Sequence, residues 1–270
     1  MKTLGKISAN LISRLYDENK PIFGVADIVR INQTNFNAAK KLVADLHKRG
    51  VVMRLKRGKY IVIPQELGSA KEYLGNWLVL GREIINTDQY YIGFYSAMNY
   101  WGLTTQPVIK IFVTTTKRQT VPKNMKDKLI FICINQKFYW GIDEVDVSGQ
   151  GKIKISNLEK TIIDGLVHPE YCGGITEVAK SIWLAKQKIN FDKLLDYIKK
   201  YGKNAPAKRL GYLAELLKIG HKNLNNELNK FVKDRYDRLD PLLPNKSLAR
   251  NNWRLKVNIN PQAILNIIWH

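Results

Sequence analysis

The stretch NFNAAKKLVADLHKRGVVMRLKRGKYIVI, residues 35–63, decides how this chain is read. Its first half places Phe36, Ala39, Val43 and Leu46 on one face of a helix at ~100° per residue. Gly50 supplies a left-handed stop. Two β-rich runs follow, 51–56 and 59–63, hinged at Arg57-Gly58-Lys59. The hairpin carries Arg54, Lys56, Arg57 and Lys59. A helix followed by a basic two-stranded hairpin is the way a winged helix-turn-helix ends, and it points to DNA.

Working upstream, Leu4, Ile7, Leu11 and Leu15 recur at helical spacing and predict a first helix over 3–18, which Pro21 breaks. Val25, Ile28 and Val29 share a face of a second, short helix, and Asn32-Gln33-Thr34 makes the turn into the third, over 35–49. Residues 1–66 therefore read as a winged helix-turn-helix DNA-binding domain with its own small core. The third helix turns Asn37, Lys41, Ala44 and Lys48 outward, with Thr34 at its entrance. Such a small, polar, basic face suits the major groove: Asn37 and Thr34 to base edges, Lys41 to a base or phosphate, Lys48 nearer the backbone. Asn35 belongs to the helix start. In the wing, strand alternation puts Arg54 and Lys56 on one side, suited to phosphates or a minor groove. The plainer readings are a solvated helix face and charges that protect an edge strand.

Bulk composition agrees. The 270 residues are 45% hydrophobic, enough for a real core and about two domains. The net charge of +21, with a pI near 9.8, favours polyanionic partners, because each contacted phosphate releases counterions. The charge is uneven: residues 1–65 hold 13 Lys or Arg against 4 Asp or Glu, and residues 199–256 hold 15 against 5. Cys133 and Cys172 lack metal-ligand spacing and read as buried free thiols. No apolar run approaches the ~20 residues that span a membrane, and the start lacks a signal-peptide core. The expectation is a cytoplasmic protein with no membrane partner.

Residues 67–270 read as a mixed α/β then mainly helical second domain, making the whole chain α+β. Residues 68–71 look like the linker and 73–85 like a helix. Most of the aromatic run 90–103 reads as a buried helix ending at Gly102. Residues 109–115 and 129–134 read as strands, and 141–147 with 152–156 as a hairpin. Helices are expected over 158–167, 175–185, 191–201, 207–217 and 224–232, and a strand over 253–259. Lys199, Lys200, Lys203, Lys208 and Arg209 form a second basic cluster at a helix–helix junction, either a second nucleic-acid surface or solvated helix ends.

The search for catalysis finds none. His47, His168, His221 and His270 have no metal spacing, and there is no phosphate loop and no nucleophile elbow. Asp143, Glu144 and Asp146 suit a solvated hairpin better than a metal. Glu159 and Asp164 lie five apart, off the same-face spacing of a carboxylate pair. No cofactor and no enzymatic activity are expected. Two rivals stay open: a nucleic-acid-processing enzyme, favoured by carboxylates or histidines gathered in one pocket, and an interaction adaptor, excluded if the aromatic run is buried.

Several stretches together resemble the AbiEi-type antitoxins of type IV toxin–antitoxin and abortive-infection systems. They are Arg57-Gly58-Lys59-Tyr60, Tyr91-Ile92-Gly93-Phe94-Tyr95-Ser96-Ala97 leading to Trp101-Gly102-Leu103, and residues 109–115. Residues 155–164 (ISNLEKTIID), 169–174 (PEYCGG) and 207–213 (AKRLGYL) complete the set. The likeness spans roughly residues 5–220. It implies an autoregulator that binds double-stranded DNA at repeats in its own promoter. It also implies an antitoxin that counters a nucleotidyltransferase-like toxin without a stable complex, although stand-alone regulators occur among such proteins. Glu159-Lys160-Thr161 belongs to the resembling stretch but has no assigned chemistry; by itself Lys160 reads as a solvated lysine at a helix start.

Overall fold

Short-range sequence signals build the first layer of the fold. A computed structural model describes residues 4–68, 73, 75–147, 149–221, 223–246 and 251–269, with side chains through residue 266. Helix α1 (Lys6–Asp17) is followed by strand β1 (Ile22–Gly24), helix α2 (Val25–Asn32), helix α3 (Phe36–Lys48) and strands β2 (Val52–Lys56) and β3 (Lys59–Val62). The strands form an antiparallel sheet in the order β1-β3-β2. Strand β1 is three residues long and gave no alternation to read in the sequence. Helix α3 starts at Asn35, whose side chain accepts the Ala38 N–H at 2.9 Å, as expected of a helix start.

The sheet buries both faces. Phe23, Val52 and Val62 join Leu11, Leu15, Ile28, Val43 and Leu46 in one core. Ile22, Met53, Leu55, Ile61 and Ile63 instead join a second core with helix α4 (Trp77–Ile84) and the sheet beyond it. The helix expected over 73–85 is shorter, because Gly75 adopts φ +60° and Asn76 caps it by accepting from Leu78 N–H at 3.0 Å. Beyond Gly68, the expected linker lies outside the described residues.

The middle of the chain is a five-stranded mixed sheet. Strands β4 (Tyr90–Ile92), β5 (Ile111–Thr115), β6 (Leu129–Cys133), β7 (Ile142–Asp146) and β8 (Lys152–Ser156) run in the order β6-β5-β4-β8-β7. The pairs β4–β8 and β5–β6 are parallel; β4–β5 and β7–β8 are antiparallel. The aromatic run is therefore not one helix. It is the central strand β4, a break at Gly93, and helix α5 (Phe94–Tyr100). A Cβ at Gly93 would lie 2.8 Å from the Tyr91 ring. Short apolar runs do not distinguish a buried strand from a buried helix, and here pairing with β5 and β8 decides.

Helices α6 (Leu158–Val167), α7 (Ile175–Ala185), α8 (Phe191–Tyr201), α9 (Asn204–Leu217) and α10 (Leu224–Asn229) build the last core. Helix α6 is at its centre, with Glu159 through Leu166 all buried. The tail departs from expectation. Only β10 (Leu255–Lys256) pairs, in parallel with β9 (Asp237–Arg238). Trp253 is buried against Gly211, where a Cβ would lie 2.2 Å from the indole. An unexpected helix, α11 (Pro261–Trp269), packs on α7. The molecule is α+β throughout.

Candidate nucleic-acid interface

Helix α3 positions the first half of the interface. Ala39, Val43 and Leu46 are buried, so the opposite face presents Asn37, Lys41, Ala44 and Lys48 to solvent, as the periodicity predicts. Phe36 is a correction. It occupies the first helical position, ahead of the buried row, and is 52% exposed with the Lys40 ammonium 4.6 Å from its ring. Thr34 is half-buried at the turn and borders a groove with Ile7, Asn10 and Ile31. Ile7 is itself 64% exposed rather than in the core; the buried row of α1 is Ser8, Leu11, Ile12 and Leu15.

The hairpin gives the second half, with Gly58 at φ +77° making the turn. Its four cations divide into two pairs. Arg54 and Arg57 are exposed. Lys56 is turned toward α4 and donates to the carbonyls of Ile84 (3.0 Å) and Ile85 (3.4 Å) and to Asn86 Oδ1 (2.8 Å). A cation there complements the C-terminal end of a helix. Burial, and then the neighbouring Lys59, push the Lys56 amine below its usual value. Lys59 is ion-paired to Glu83 at 2.6 Å. Lys56 and Lys59 are thus engaged as joints between the hairpin and α4. A bulge between Arg54 and Lys56 interrupts the expected alternation.

Arg54, Lys56 and Arg57 line a cleft of about 850 Å³ together with residues the sequence did not single out: His47 from α3, and Thr120, Lys123 and Asn124 from the loop after β5. Asn124 Nδ2 donates to the Arg54 carbonyl at 2.6 Å, which ties that loop to the hairpin. Lys117, Arg118, Lys123 and Lys126 are exposed along the same loop. The loop's charge density was the available signal, but its proximity to the hairpin is a tertiary fact.

The second basic cluster does not hold together. Lys199, Lys200 and Lys203 are exposed. Lys208 is fully buried and donates to the Arg235 carbonyl and to Asp237 Oδ2 (2.9 Å). Arg209 is 5% exposed and donates to the carbonyls of Leu166 (2.6 Å), Val167 (3.2 Å) and Arg238 (3.0 Å). Both anchor the tail to α6 and α9 rather than face a ligand, and burial pulls the Arg209 guanidinium below its usual value.

Lys160 is the other correction: it is 1% exposed, not solvated. Its ammonium is bonded to Asp164, one helical turn on, and lies 3.1 Å from the Tyr91 hydroxyl, which donates to the other Asp164 oxygen at 3.0 Å. Burial, then the Asp164 charge, push the Tyr91 phenol well up. Glu159 instead pairs with Lys193 at 2.7 Å. Asp143, Glu144 and Asp146 are exposed on β7, with Glu144 and Asp146 opposite Lys154 and Lys152. No group of three or more His, Cys, Asp or Glu suited to a metal occurs among the described residues, and His270 lies outside them. Cys172 is buried but Cys133 is exposed, and both are free thiols. Most of the aromatic run is buried, which removes the adaptor reading. No helix among the described residues is long and apolar enough to cross a membrane.

No family model matches the chain, and no curated protein matches it. Among solved structures it is similar to the RV2827C protein from Mycobacterium tuberculosis, with a TM-score of 0.68 at 13% identity, covering 99% of this chain and 96% of that one. At that identity the likeness speaks to the fold alone.

Proposed function

We propose that this chain is a cytoplasmic DNA-binding transcriptional autoregulator whose first 66 or so residues form a winged helix-turn-helix, and that it serves as the antitoxin of a type IV toxin–antitoxin system. The observation that carries the DNA reading is the exposed row Asn37, Lys41 and Lys48 on α3, with exposed Arg54 and Arg57 on the hairpin lining a cleft that His47 of α3 shares. A polar helix face with exposed guanidinium groups on the following hairpin supplies base-edge donors and phosphate contacts. In this reading α3 enters the major groove, and the two arginines with Lys123 hold the backbone. The antitoxin half rests on the motif resemblance. The residues from 67 onward would oppose a nucleotidyltransferase-like toxin without a stable complex, and no catalytic role is assigned to this chain.

The test is binding to the promoter of the chain's own gene, measured against random duplex by gel shift. Asn37→Ala is expected to cut discrimination by ~1–3 kcal/mol, and Lys41→Ala to weaken both duplexes. A double variant that binds the promoter like wild type overturns the assignment of α3. Rescue of cells that express a nucleotidyltransferase-like toxin tests the antitoxin half, and loss of that rescue should not follow from Asn37→Ala.

A further inference from the structure

We propose that a cavity between β6, α6 and α8 accepts the base of a nucleotide, from single-stranded nucleic acid or from a free nucleotide, while lysines at its mouth hold the attached phosphate. The cavity measures about 180 Å³. That is below the ~300 Å³ lower end for drug-sized ligands, so it takes one small ring and leaves the rest outside.

Its floor is polar and built. Lys160 and Asp164 line it, and their ion pair is completed by Tyr91 beneath. Burying such a pair is costly, and apolar residues would fill a core position more cheaply. The Lys160 ammonium also lies 4.9 Å from the Trp140 ring and 5.1 Å from that of Tyr91, so the floor holds a cation among aromatic faces. Its wall includes Phe94, which adopts φ +53° although it is a bulky residue. Strain of that kind collects where a site fixes geometry.

Cys133, Ile134, Val167 and His168 complete the lining together with two flat rings. Phe138 and Tyr201 stack with their ring centroids 4.4 Å apart. Cations surround these rings. The Lys203 ammonium lies 5.7 Å from the Phe138 ring and 5.5 Å from that of Tyr201, and the Lys137 ammonium 5.0 Å from Phe138. Beside the cavity, Lys200 sits 5.0 Å from the Trp140 ring. Aromatic faces interleaved with lysines are how proteins hold single strands, bases on rings and phosphates on cations. A purely apolar ligand would leave the floor unmet, and a bare oxoanion would face Asp164. A base satisfies both, lying against Phe138 once the Lys137 ammonium that covers the ring moves onto the phosphate, and turning a hydrogen-bonding edge to Lys160, Asp164 and Asn135. Lys200 and Lys203 of the second basic cluster, with Lys137, then have a common task.

The experiment uses the full-length protein and a single-stranded hexanucleotide with one central 2-aminopurine. Binding should quench its emission, and the quench should survive Arg54→Ala/Arg57→Ala, which separates this site from the duplex interface. Phe138→Leu should bind the strand with the quench largely lost. Lys203→Ala and Lys137→Ala should each lower the slope of log affinity against log salt by ~0.7. Unlabelled mononucleotide is the second arm. Its tighter binding would assign the site to free nucleotides, weaker binding to strands, and either supports a base pocket. Strand binding without quench, unchanged affinity in both lysine variants, or displacement by inorganic phosphate as efficient as by mononucleotide would each overturn the proposal.

Discussion

Lys160 shows how far a single residue's role depends on what it meets. With Asp164 present its charge is matched; alone, either partner would be an uncompensated charge in a site with 1% exposure. Lys160→Met should therefore cost ~3–5 kcal/mol, while Lys160→Met/Asp164→Leu should recover most of it. Urea denaturation of the single and double variants checks this, and additive losses would mean the two do not act as a pair. Glu83 gives the pH counterpart. Burial pushes its carboxyl up, but the hydrogen bond and charge of Lys59, with Arg82, outweigh this and hold it below its usual 4.5. A depressed folded value means the contribution is complete above pH 4.5 and is lost as pH falls through the folded value. Stability should accordingly drop on acidification below that range, and Glu83→Gln should make the drop smaller.

At the scale of elements, the hairpin divides its work. Arg54 and Arg57 face solvent, whereas Lys56 and Lys59 fasten the hairpin to α4. Arg54→Ala and Arg57→Ala should each lower the salt slope of promoter binding by ~1, with sequence preference little changed. Lys123→Ala, across the cleft, should do the same. Lys56→Met should leave the slope alone and lower the denaturation midpoint instead. A salt titration of the four variants distinguishes the two kinds of cation. An unchanged slope for both arginine variants would remove the hairpin from the interface.

For the whole molecule, the shared sheet is the main consequence. Residues 1–66 taken alone would expose Ile22, Met53, Leu55, Ile61 and Ile63, the face covered by α4 and the central sheet. Each such side chain is worth ~1.5–3 kcal/mol when buried, and a domain of this size has little to spare. The sequence suggests a unit that folds by itself. The packing leads to the opposite expectation: fragment 1–66 aggregates or lacks a cooperative transition, whereas the full chain, in which α4 and the five-stranded sheet cover that face, unfolds cooperatively. Circular dichroism melts of the fragment and the full chain decide, and a cooperative melt of 1–66 would mean that the second face is dispensable.

What the sequence determined by itself is what local spacing controls. Helix α3 was legible from Ala39, Val43 and Leu46, its start from Asn35, the hairpin from Gly58, and α6 to its last residue, because these depend on neighbours within a turn or a strand. The outward face of α3 followed from the same periodicity. Tertiary structure alone decided which charges remain available. Lys208 and Arg209 sit in a helix that reads as basic, but their acceptors arrive from residues 235–238. Lys56 meets the end of a helix some thirty residues on, and Lys160 meets Tyr91 from 69 residues away. The aromatic run became strand, break and helix because β5 and β8 pair with its first residues. Periodicity fixes which way a side chain points from its own backbone. Whether it then meets water, a carbonyl or an opposite charge is set by chain segments brought there by folding, and no local pattern records them.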